Sequence, residues 1–270
     1  MSDIDKVFSG SIPAIYESHL VPLIFEPYAA DLKRRAGAMN ISRILEVAAG
    51  TGVVTRALAS IPNKNMIIVA TDLNQAMLDQ AAAVGTARPV HWQQADAMAL
   101  PFNDGEFDAV VCQFGAMFFP DKAKAFSEAR RVLKPGGIFV FNVWNSLSHN
   151  EFADTIATTL AAVFPDDPPR FLSRAPYGYH DRSIIAQDLA AAGFTKSPRI
   201  ETITARSRAP SAREPAIAYC QGSPLRSEIE ARDALRLGEA TDKAAAALAQ
   251  RFGPNAVDGK IQALVVTVEK

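Results

Sequence analysis

Between residues 41 and 143 the chain alternates short strand-like runs with amphipathic segments, and this alternation restricts the folds open to it. Strands rich in Val, Ile and Phe that alternate with helices are typical of a parallel sheet covered by helices on both faces. The sequence therefore predicts an α/β, doubly wound fold. The five predicted strands are ISRILEVA, MIIVATD, PVHWQQAD, FDAVVCQFG and GGIFVFNVW.

Helices are expected between these strands. One is predicted at about residues 53–60, and a second, NQAMLDQAAAVG, has Asn74 as its expected N-cap and Gly85 at its end. A third is AKAFSEARRVLK, in which Arg130 and Arg131 are expected to be surface charges. The KPGG sequence at 134–137 is predicted to be a turn that ends this helix and leads into the fifth strand.

The segment LEVAAGTG, residues 45–52, ends the first strand in a glycine turn. Glycine permits positive φ and a close approach of a ligand to the backbone, and a helix N-terminus offers free N–H groups to an anion. The dinucleotide pattern GxGxxG is incomplete because Thr55 replaces its third glycine, and the phosphate-binding pattern GxxxxGK[ST] is absent. Tight packing of the strand against the helix explains such a turn equally well.

Two aspartates stand at the ends of the next strands. Asp72 ends the second strand, where a carboxylate can accept hydrogen bonds from ribose hydroxyls, as it also does in NAD-binding proteins. Asp96 ends the third strand, where it can accept a hydrogen bond from an exocyclic amine while Ala97 offers its backbone N–H to the ring. Either aspartate alone could cap a helix or sit in a solvated turn. Together with the glycine turn they indicate a nucleoside ligand.

Four segments in order resemble the successive motifs of class I S-adenosylmethionine-dependent methyltransferases: LEVAAGTG, ATDLNQAML, ADAMALPFNDGEFDAVVCQFGAMFF and EARRVLKPGGIFVFNVW. The resemblance spans residues 41–144 and is greatest to small-molecule enzymes such as the ubiquinone/menaquinone-biosynthesis methyltransferases. It implies a Rossmann-like sheet of seven strands with an antiparallel last strand, which SPRIETITARSR and IQALVVTVEK would complete. It also implies S-adenosyl-L-methionine as cofactor and methyl transfer to O, N or C of a small, aromatic or apolar molecule.

The same resemblance implies a set of cofactor-binding residues. These are Glu46, Ala48, Gly50 and Gly52 along the methionine portion, Asp72 at the ribose, Leu73 and Met77 against the adenine ring, Asp96 and Ala97 at the adenine amine, and Gln113 and Phe114 beside the transferring methyl group. CQFG stands where enzymes that methylate nucleobase amines often carry Asn-Pro-Pro-Tyr, so this departure argues against a nucleic-acid substrate.

The segments outside the motifs are expected to recognise the methyl acceptor. Residues 1–40 are predicted to form short helices over the cofactor site, with Tyr16 in contact with the cofactor. Residues 41–270 then form the methyltransferase domain, with helical cap insertions at about 146–180 and 211–252. Pro13, Pro22 and Pro27 are expected to divide the N-terminal helices, and Asp181 or Ser183 to cap a helix after the first insertion.

The first insertion supplies candidates for the acceptor site. His149 is the candidate general base, with a solvated loop histidine as the alternative. An aromatic loop fits the apolar lining of many ligand pockets, and core packing is the alternative for its side chains. The candidate acceptor residues in it are Phe171, Tyr177, Tyr179 and His180.

The composition of the chain limits the kinds of partner that can be expected for it. A net charge of −1 gives no electrostatic reason to expect a polyanionic partner such as nucleic acid, and no apolar run approaches the roughly 18 residues that span a bilayer. Cys112, expected in the core, and Cys220 form no disulfide framework, so a cytoplasmic location is predicted. The four histidines show no metal-ligand spacing, so no metal is expected, and the oligomeric state is left open.

Two rival functions stay open at this point. An NAD(P)-dependent oxidoreductase would use the same Asp72, but Thr55 and the Asp96 motif count against it. A protein that binds S-adenosylmethionine without turnover would carry the same motifs, because those motifs report binding and not transfer.

Overall fold

One seven-stranded sheet, in the order β3-β2-β1-β4-β5-β7-β6, is the central element of the fold. The computed structural model describes residues 10–63 and 65–270. The strands are β1 (Arg43–Val47), β2 (Ile67–Asp72), β3 (His91–Gln94), β4 (Phe107–Gln113), β5 (Leu133–Trp144), β6 (Arg199–Ala209) and β7 (Val257–Glu269). The predicted α/β, doubly wound class is confirmed.

Strands β1 to β5 run parallel, with β1 between β2 and β4. Strand β7 runs against β5. Lys270 N donates to Gly137 O at 2.9 Å, whereas Asn145 N donates to Gln262 O at 3.0 Å, so residue numbers rise along one strand as they fall along the other. The predicted seventh, antiparallel strand is therefore confirmed.

Helices lie between the strands and in the segments that flank them. They are α1 (Ile12–Ile15), α2 (Glu26–Gly37), α3 (Val53–Ala59), α4 (Gln75–Val84), α5 (Lys122–Val132), α6 (Glu151–Val163), α7 (Phe171–Arg174), α8 (Arg182–Ala191), α9 (Arg213–Gln221), α10 (Leu225–Asp233) and α11 (Leu237–Phe252). None of the helices in the described ranges is long and apolar enough to cross a bilayer. Asp181 caps α8 as predicted, because its carboxylate accepts from the N–H groups of Ser183 and Ile184.

The prediction that prolines divide the N-terminal helices holds at Pro13 and Pro27, which lie in the first turns of α1 and α2, but no break occurs at Pro22. A π-helix, Tyr16–Phe25, joins α1 to α2 and contains Pro22. Pro13 lies in the first turn of α1, where a missing N–H leaves no hydrogen bond unmade. A π-helix replaces the usual hydrogen-bond pattern with a wider one, and the chain passes Pro22 within it. Residues 1–9 of the predicted N-terminal helices lie outside the described residues.

The chain divides into two compact units. Unit 1 combines residues up to 25 with 144–179 and 203–263, and unit 2 holds 26–143, 180–202 and 264–270. Unit 2 contains β1 to β4 and β5 up to Val143, and unit 1 contains the predicted helical insertions except His180. The expectation that residues 1–40 and these insertions cover the cofactor site stays a prediction.

In unit 2 the central strands are almost completely buried, but β3 at the sheet edge is not. Phe126 of α5 packs against Phe139 and Phe141 of β5, with ring centroids 5.5 and 5.0 Å apart. Burying a phenylalanine side chain contributes about 1.5–3 kcal/mol to the free energy of unfolding. These aromatic contacts therefore stabilise the centre of the sheet. In β3, His91, Gln93 and Gln94 are exposed, and the strand pairs with β2 alone.

In unit 1, helix α11 packs against α6 and α9 through a stripe of small side chains. Ala240 and Ala244 are fully buried and allow the neighbouring helices to approach closely. Phe152 of α6 meets Phe252 of α11 edge to face, with centroids 5.0 Å apart. Glu228 of α10 accepts hydrogen bonds from the backbone N–H groups that begin α7, at 2.8 and 3.0 Å. The helical insertions therefore have a core of their own.

The KPGG sequence is a bulge inside β5, not a turn before it. Phe107 pairs with Leu133 and Ala109 pairs with Ile138, so four residues of β5 stand opposite Asp108 alone. The Lys134 ammonium lies 2.5 Å from the Asp108 carboxylate and fixes the bulge to β4. The preceding helix ends at Val132, two residues earlier than predicted, because Leu133 already pairs in the sheet.

Two glycines of this bulge are expected to differ in their tolerance of alanine. At Gly137 a Cβ would lie 2.9 Å from the Lys134 carbonyl oxygen and 3.1 Å from that of Asp108, which are backbone atoms in a sheet. Gly136 has φ +76° but open surroundings. We expect Gly136→Ala to cost about 1–2 kcal/mol of unfolding free energy and Gly137→Ala to cost more. Urea unfolding measures both.

Gly37→Ala is the control for this pair. Gly37 has nothing within 4 Å of its Cβ position and no positive φ, so its unfolding free energy should stay near the parent value or rise. Equal stability of the Gly136 and Gly137 variants would contradict the bulge geometry.

Candidate functional site

The glycine turn after β1 lies at the point where the strand order reverses. β1 is flanked by β2 on one side and β4 on the other, and in open α/β sheets ligands bind beyond the carboxyl ends of strands at such a point. Gly50 has φ +56° and Gly52 has φ +84°. Ala48 has φ +56°, a conformation that costs a non-glycine residue about 1–2 kcal/mol. The backbone here is held in an uncommon shape.

Asp72, at the end of β2, fastens this turn. One carboxylate oxygen accepts from Gly50 N at 2.8 Å and the other from Asn74 N at 2.8 Å. Asn74 occupies the N-cap position of α4 as predicted, but its side chain makes no capping hydrogen bond. Burial raises the pKa of Asp72, and the hydrogen bonds from Asn74 and Gly50 oppose the rise. The carboxylate thus joins β2, the glycine turn and α4.

Glu46 of β1 lies beneath the turn and is 1% exposed. The Thr55 hydroxyl donates to its carboxylate at 2.6 Å. Burial raises the pKa of Glu46 to about 8, the Thr55 hydrogen bond opposes the shift, and the nearby Asp72 charge adds to it. Thr55 therefore anchors a buried acid at the position where a dinucleotide fingerprint has its third glycine.

The loop after β4 approaches the same turn. Phe114 has φ +52°, and its N–H donates to the Asn142 side-chain oxygen at 2.9 Å. Gly115 admits the turn, because a Cβ there would lie 2.4 Å from the Ala48 Cβ. Tyr28 packs edge to face on Phe114 at 5.2 Å. The predicted residue Phe114, which is 5% exposed, is thus fixed at the carboxyl end of the sheet.

Cys112 lies one residue before Gln113 in β4 and is fully buried, as predicted. A Cβ on Gly115 would lie 2.8 Å from its sulfur. Burial raises the pKa of the Cys112 thiol to about 12.

The end of β3 joins the group through the backbone. Ala95 N donates to the Asp72 carbonyl at 3.0 Å, which brings Asp96 next to the β2 end. The Asp96 carboxylate accepts from Met98 N at 2.8 Å, so it also serves the turn that follows. Beside Asp72, the Leu73 side chain is 47% exposed and Met77 is buried.

Unit 2 therefore brings together the ends of four strands with the predicted cofactor residues. Those it contains are Glu46, Ala48, Gly50, Gly52, Asp72, Leu73, Met77, Asp96, Ala97, Gln113 and Phe114, and His180 also belongs to it. Unit 1 contains Tyr16, His149, Phe171, Tyr177 and Tyr179.

Within unit 1 these residues have other neighbours. Tyr16 stacks on Phe25 at 5.1 Å. The Tyr177 ring lies 5.8 Å from that of Trp144, and its hydroxyl is 3.2 Å from the Tyr219 hydroxyl. Phe171 and Tyr179 are buried. The roles of these aromatic residues toward cofactor and acceptor stay predictions.

His149 is exposed in a single turn of 3₁₀-helix after β5. Its Nδ1 lies 2.7 Å from the Ser146 hydroxyl, which orients the ring. Its role as a base stays a prediction.

Sequence reasoning missed two residues that hold the site. Asn142 interrupts the apolar run FVFNVW, and a polar residue in a buried strand was the available signal. Arg131 lies on the surface of α5 as expected, with its side chain 30% exposed, but its guanidinium also donates to the carbonyls of Leu100 and Phe102 at 2.9 and 2.7 Å. No local pattern marks this contact, because the acceptors lie on a different loop.

Comparison with known proteins indicates one family, the methyltransferases. Residues 45–141 match the family model described as a methyltransferase domain. A ubiquinone/menaquinone biosynthesis C-methyltransferase from Stutzerimonas stutzeri is 30% identical over 174 residues, which cover 60% of this chain and 68% of that protein. The protein of the same name from Saccharophagus degradans is 27% identical over 207 residues, covering 72% and 78%.

A solved structure shares the fold. Phosphoethanolamine N-methyltransferase 2 of Haemonchus contortus, in complex with S-adenosyl-L-methionine, superposes with a TM-score of 0.58 at 18% identity. The match covers 96% of this chain and 56% of that one.

The buried Glu46 predicts a pH dependence of stability. Between about pH 5 and pH 8 the folded, ligand-free chain retains a proton that the unfolded chain has released, so the unfolding free energy falls as pH rises. One such proton gives a slope approaching about −1.4 kcal/mol per pH unit. Glu46→Gln keeps an oxygen for the Thr55 hydroxyl and should flatten the slope. Urea titrations across this window measure it.

The charged and titratable groups near Glu46 are Asp72, Arg56 and Cys112, and the variant leaves all three in place. Glu106→Gln, which changes a partly exposed carboxylate paired with Arg43 at 2.7 Å, is the control and should retain the parent slope. A Glu46→Gln variant with an unchanged slope would show that Glu46 titrates normally.

Proposed function

This chain belongs to the class I S-adenosylmethionine-dependent methyltransferases, and we propose that it transfers the methyl group of that cofactor to a small aromatic or apolar molecule. The observation that carries the proposal is the Asp72 carboxylate bound to Gly50 N at the point where the strand order reverses. A buried acid fixed beside a glycine turn suits a nucleoside ligand, and Thr55 occupies the position of the third dinucleotide glycine.

The residues of the turn fit the cofactor. Each carboxylate oxygen of Asp72 accepts one backbone N–H and retains capacity for a ribose hydroxyl. The Thr51 hydroxyl is buried and, within residues 10–63 and 65–270, has no hydrogen-bond partner, so a ligand can satisfy it. A Cβ on Gly52 would lie 3.1 Å from the Ala81 Cβ and from Trp92, so the turn has no room for a larger residue.

We assign the parts of the cofactor to the strand ends accordingly. The glycine turn with Glu46 and Ala48 receives the methionine portion, Asp72 the ribose, and Asp96 the adenine amine. The remaining assignments follow the order of the motifs: Leu73, Met77 and Ala97 for the adenine, Gln113 and Phe114 for the neighbourhood of the methyl group, and Tyr16 for a contact from unit 1.

When bound, the cofactor supplies a methyl group made electrophilic by its sulfonium. The chain's own task is to hold the acceptor in line and to exclude water, and such positioning can contribute on the order of 7–11 kcal/mol. The backbone around Gly50 and Phe114 is held by Asp72 and Asn142 at 2.8 and 2.9 Å, which supports this role. His149, oriented by Ser146, is the candidate proton acceptor for a substrate that must lose a proton.

For the acceptor, the names of two relatives specify C-methylation in ubiquinone/menaquinone biosynthesis. We therefore place carbon of a quinone-related aromatic compound first among the acceptors to be tested, followed by phenols and amines. We also propose that selection of the acceptor depends on the helical insertions at about 146–180 and 211–252, because the motifs of residues 41–144 are committed to the cofactor.

Replacing Asp72 tests the cofactor assignment. Hydrogen bonds to a charged group contribute about 1.5–3 kcal/mol each, so Asp72→Ala should weaken S-adenosylmethionine binding at least about tenfold. Calorimetric titration with S-adenosylmethionine, S-adenosylhomocysteine and NADH measures this, and we expect little or no affinity for NADH. Asp72→Asn is a milder variant that keeps one acceptor oxygen. It controls for the possibility that Asp72→Ala weakens binding only by disrupting the glycine turn.

Asp108→Ala is the matched control, because the Asp108 carboxylate also accepts two backbone N–H groups, from Ser42 and Arg43 at 2.9 and 2.8 Å, before and at the start of β1. It should retain the parent affinity for cofactor. Unchanged cofactor binding by both Asp72 variants would refute the ribose assignment.

A second prediction concerns acceptor selection. Tyr177→Phe and Tyr219→Phe each remove one hydroxyl of a buried pair while keeping the ring. With an acceptor identified by screening quinone-related compounds, phenols and amines, we expect kcat/KM to fall about tenfold while cofactor affinity stays at the parent value. If both variants transfer methyl groups at the parent rate, the two hydroxyls take no part in acceptor selection.

A further inference from the structure

The loop between β3 and β4, residues 95–106, carries Asp96 and Ala97 near its start and is bonded to the sheet there through Ala95 N. β3 has four residues, three of them exposed, and it pairs with β2 at the sheet edge. Ala95 N donates to the Asp72 carbonyl at 3.0 Å, and the Asp96 carboxylate and carbonyl accept from Met98 N at 2.8 Å and from Ala99 N at 3.0 Å. The sheet thus fixes the chain before Asp96, and the position of Asp96 also depends on what holds the loop after it.

Arg131 of α5 holds it. Its Nη1 donates to the Phe102 carbonyl at 2.7 Å and to the Asp104 carboxylate at 2.8 Å, and its Nη2 donates to the Leu100 carbonyl at 2.9 Å. The remaining two N–H groups bind both carboxylate oxygens of Glu128 at 2.8 and 2.9 Å. All five donors of the guanidinium are thus engaged.

Glu128 of α5 binds the same loop directly. Its carboxylate accepts from Leu100 N at 2.8 Å, so both backbone polar groups of Leu100 are bound by the Glu128–Arg131 pair. Hydrogen bonding to Arg131 lowers the pKa of Glu128, which keeps the acceptor charged. Leu100 itself is 5% exposed, and it lies four residues from Asp96.

We propose that Glu128 and Arg131 are positioning residues for adenine recognition: they fix the loop at Leu100 and Phe102 so that Asp96 and Ala97 meet the adenine amine. The inference rests on the proposed function, in which Asp96 accepts a hydrogen bond from that amine. It assigns to α5 a part in cofactor selectivity, beyond the cofactor residues of the strand ends. A fork-shaped guanidinium is required, because the single ammonium of lysine cannot bind two carbonyls and two carboxylates.

The test compares two ligands that differ at the position Asp96 reads. S-inosylhomocysteine has a carbonyl oxygen in place of the exocyclic amine of S-adenosylhomocysteine. We expect the parent to favour the adenosyl compound at least about tenfold in calorimetry, and Asp96→Ala to bring that ratio close to one. Arg131→Lys should lower the ratio several-fold, and Glu128→Gln should lower it less while disturbing the fold less.

Arg35→Lys is the matched control. Arg35 forms hydrogen bonds to Asp31 and Glu201 at 2.6 Å, is more deeply buried than Arg131, and lies in the same unit. This variant should lose stability without a change in the affinity ratio. Binding is measured below the unfolding temperature of every variant.

The possible outcomes distinguish a failure of this inference from a failure of the proposed function. If the parent discriminates and Asp96→Ala does not, but Arg131→Lys and Glu128→Gln keep the parent ratio, the pair is a structural contact only and the inference is overturned. If the parent binds both compounds equally, the Asp96 assignment in the proposed function fails, and the inference falls with it. A reduced ratio in the Arg131 and Glu128 variants alongside an unchanged ratio in Arg35→Lys supports it.

Discussion

The hydrogen bond from Gly50 N to the Asp72 carboxylate joins the ends of β1 and β2, and the candidate site is built around it. A buried carboxylate is costly unless backbone donors compensate it. Asp72 finds such donors in Gly50 and Asn74. The same contact holds Gly50 at positive φ, which leaves the backbone of the turn accessible to a ligand. A single side chain thus sets both the shape of the turn and its charge.

The other strand ends are fixed by contacts of the same kind, in which a backbone group is bound by a polar side chain. Phe114 N is held by the Asn142 side chain, and Leu100 by Glu128 and Arg131. These contacts link loops that are distant in sequence to a rigid sheet. A methyltransferase acts chiefly by alignment, and a site whose backbone is fixed before the ligand arrives suits that task.

The strands, the glycine turn and the two aspartates could be predicted because each is marked by a local pattern in the sequence. The Arg131 contact could not, because its partners at Leu100, Phe102 and Asp104 lie 27 to 31 residues away. The KPGG bulge was misplaced for a similar reason: Pro and Gly signal a turn, but the pairing of Leu133 with Phe107 is a tertiary contact. Local patterns predict the residues of the candidate site, and long-range contacts decide how firmly their backbone is held.

The burial of Cys112 has a consequence for the chemical reactivity of its thiol. A protein that binds an electrophilic methyl donor exposes its own nucleophiles to alkylation, and sulfur is the softest of them. The thiolate, not the thiol, is the reactive form, and burial raises the pKa of Cys112 to about 12. Its sulfur is therefore protonated throughout the physiological range and also shielded by the packing of Gly115. The one cysteine of β4 is therefore an unreactive part of the sheet interior and not an available nucleophile.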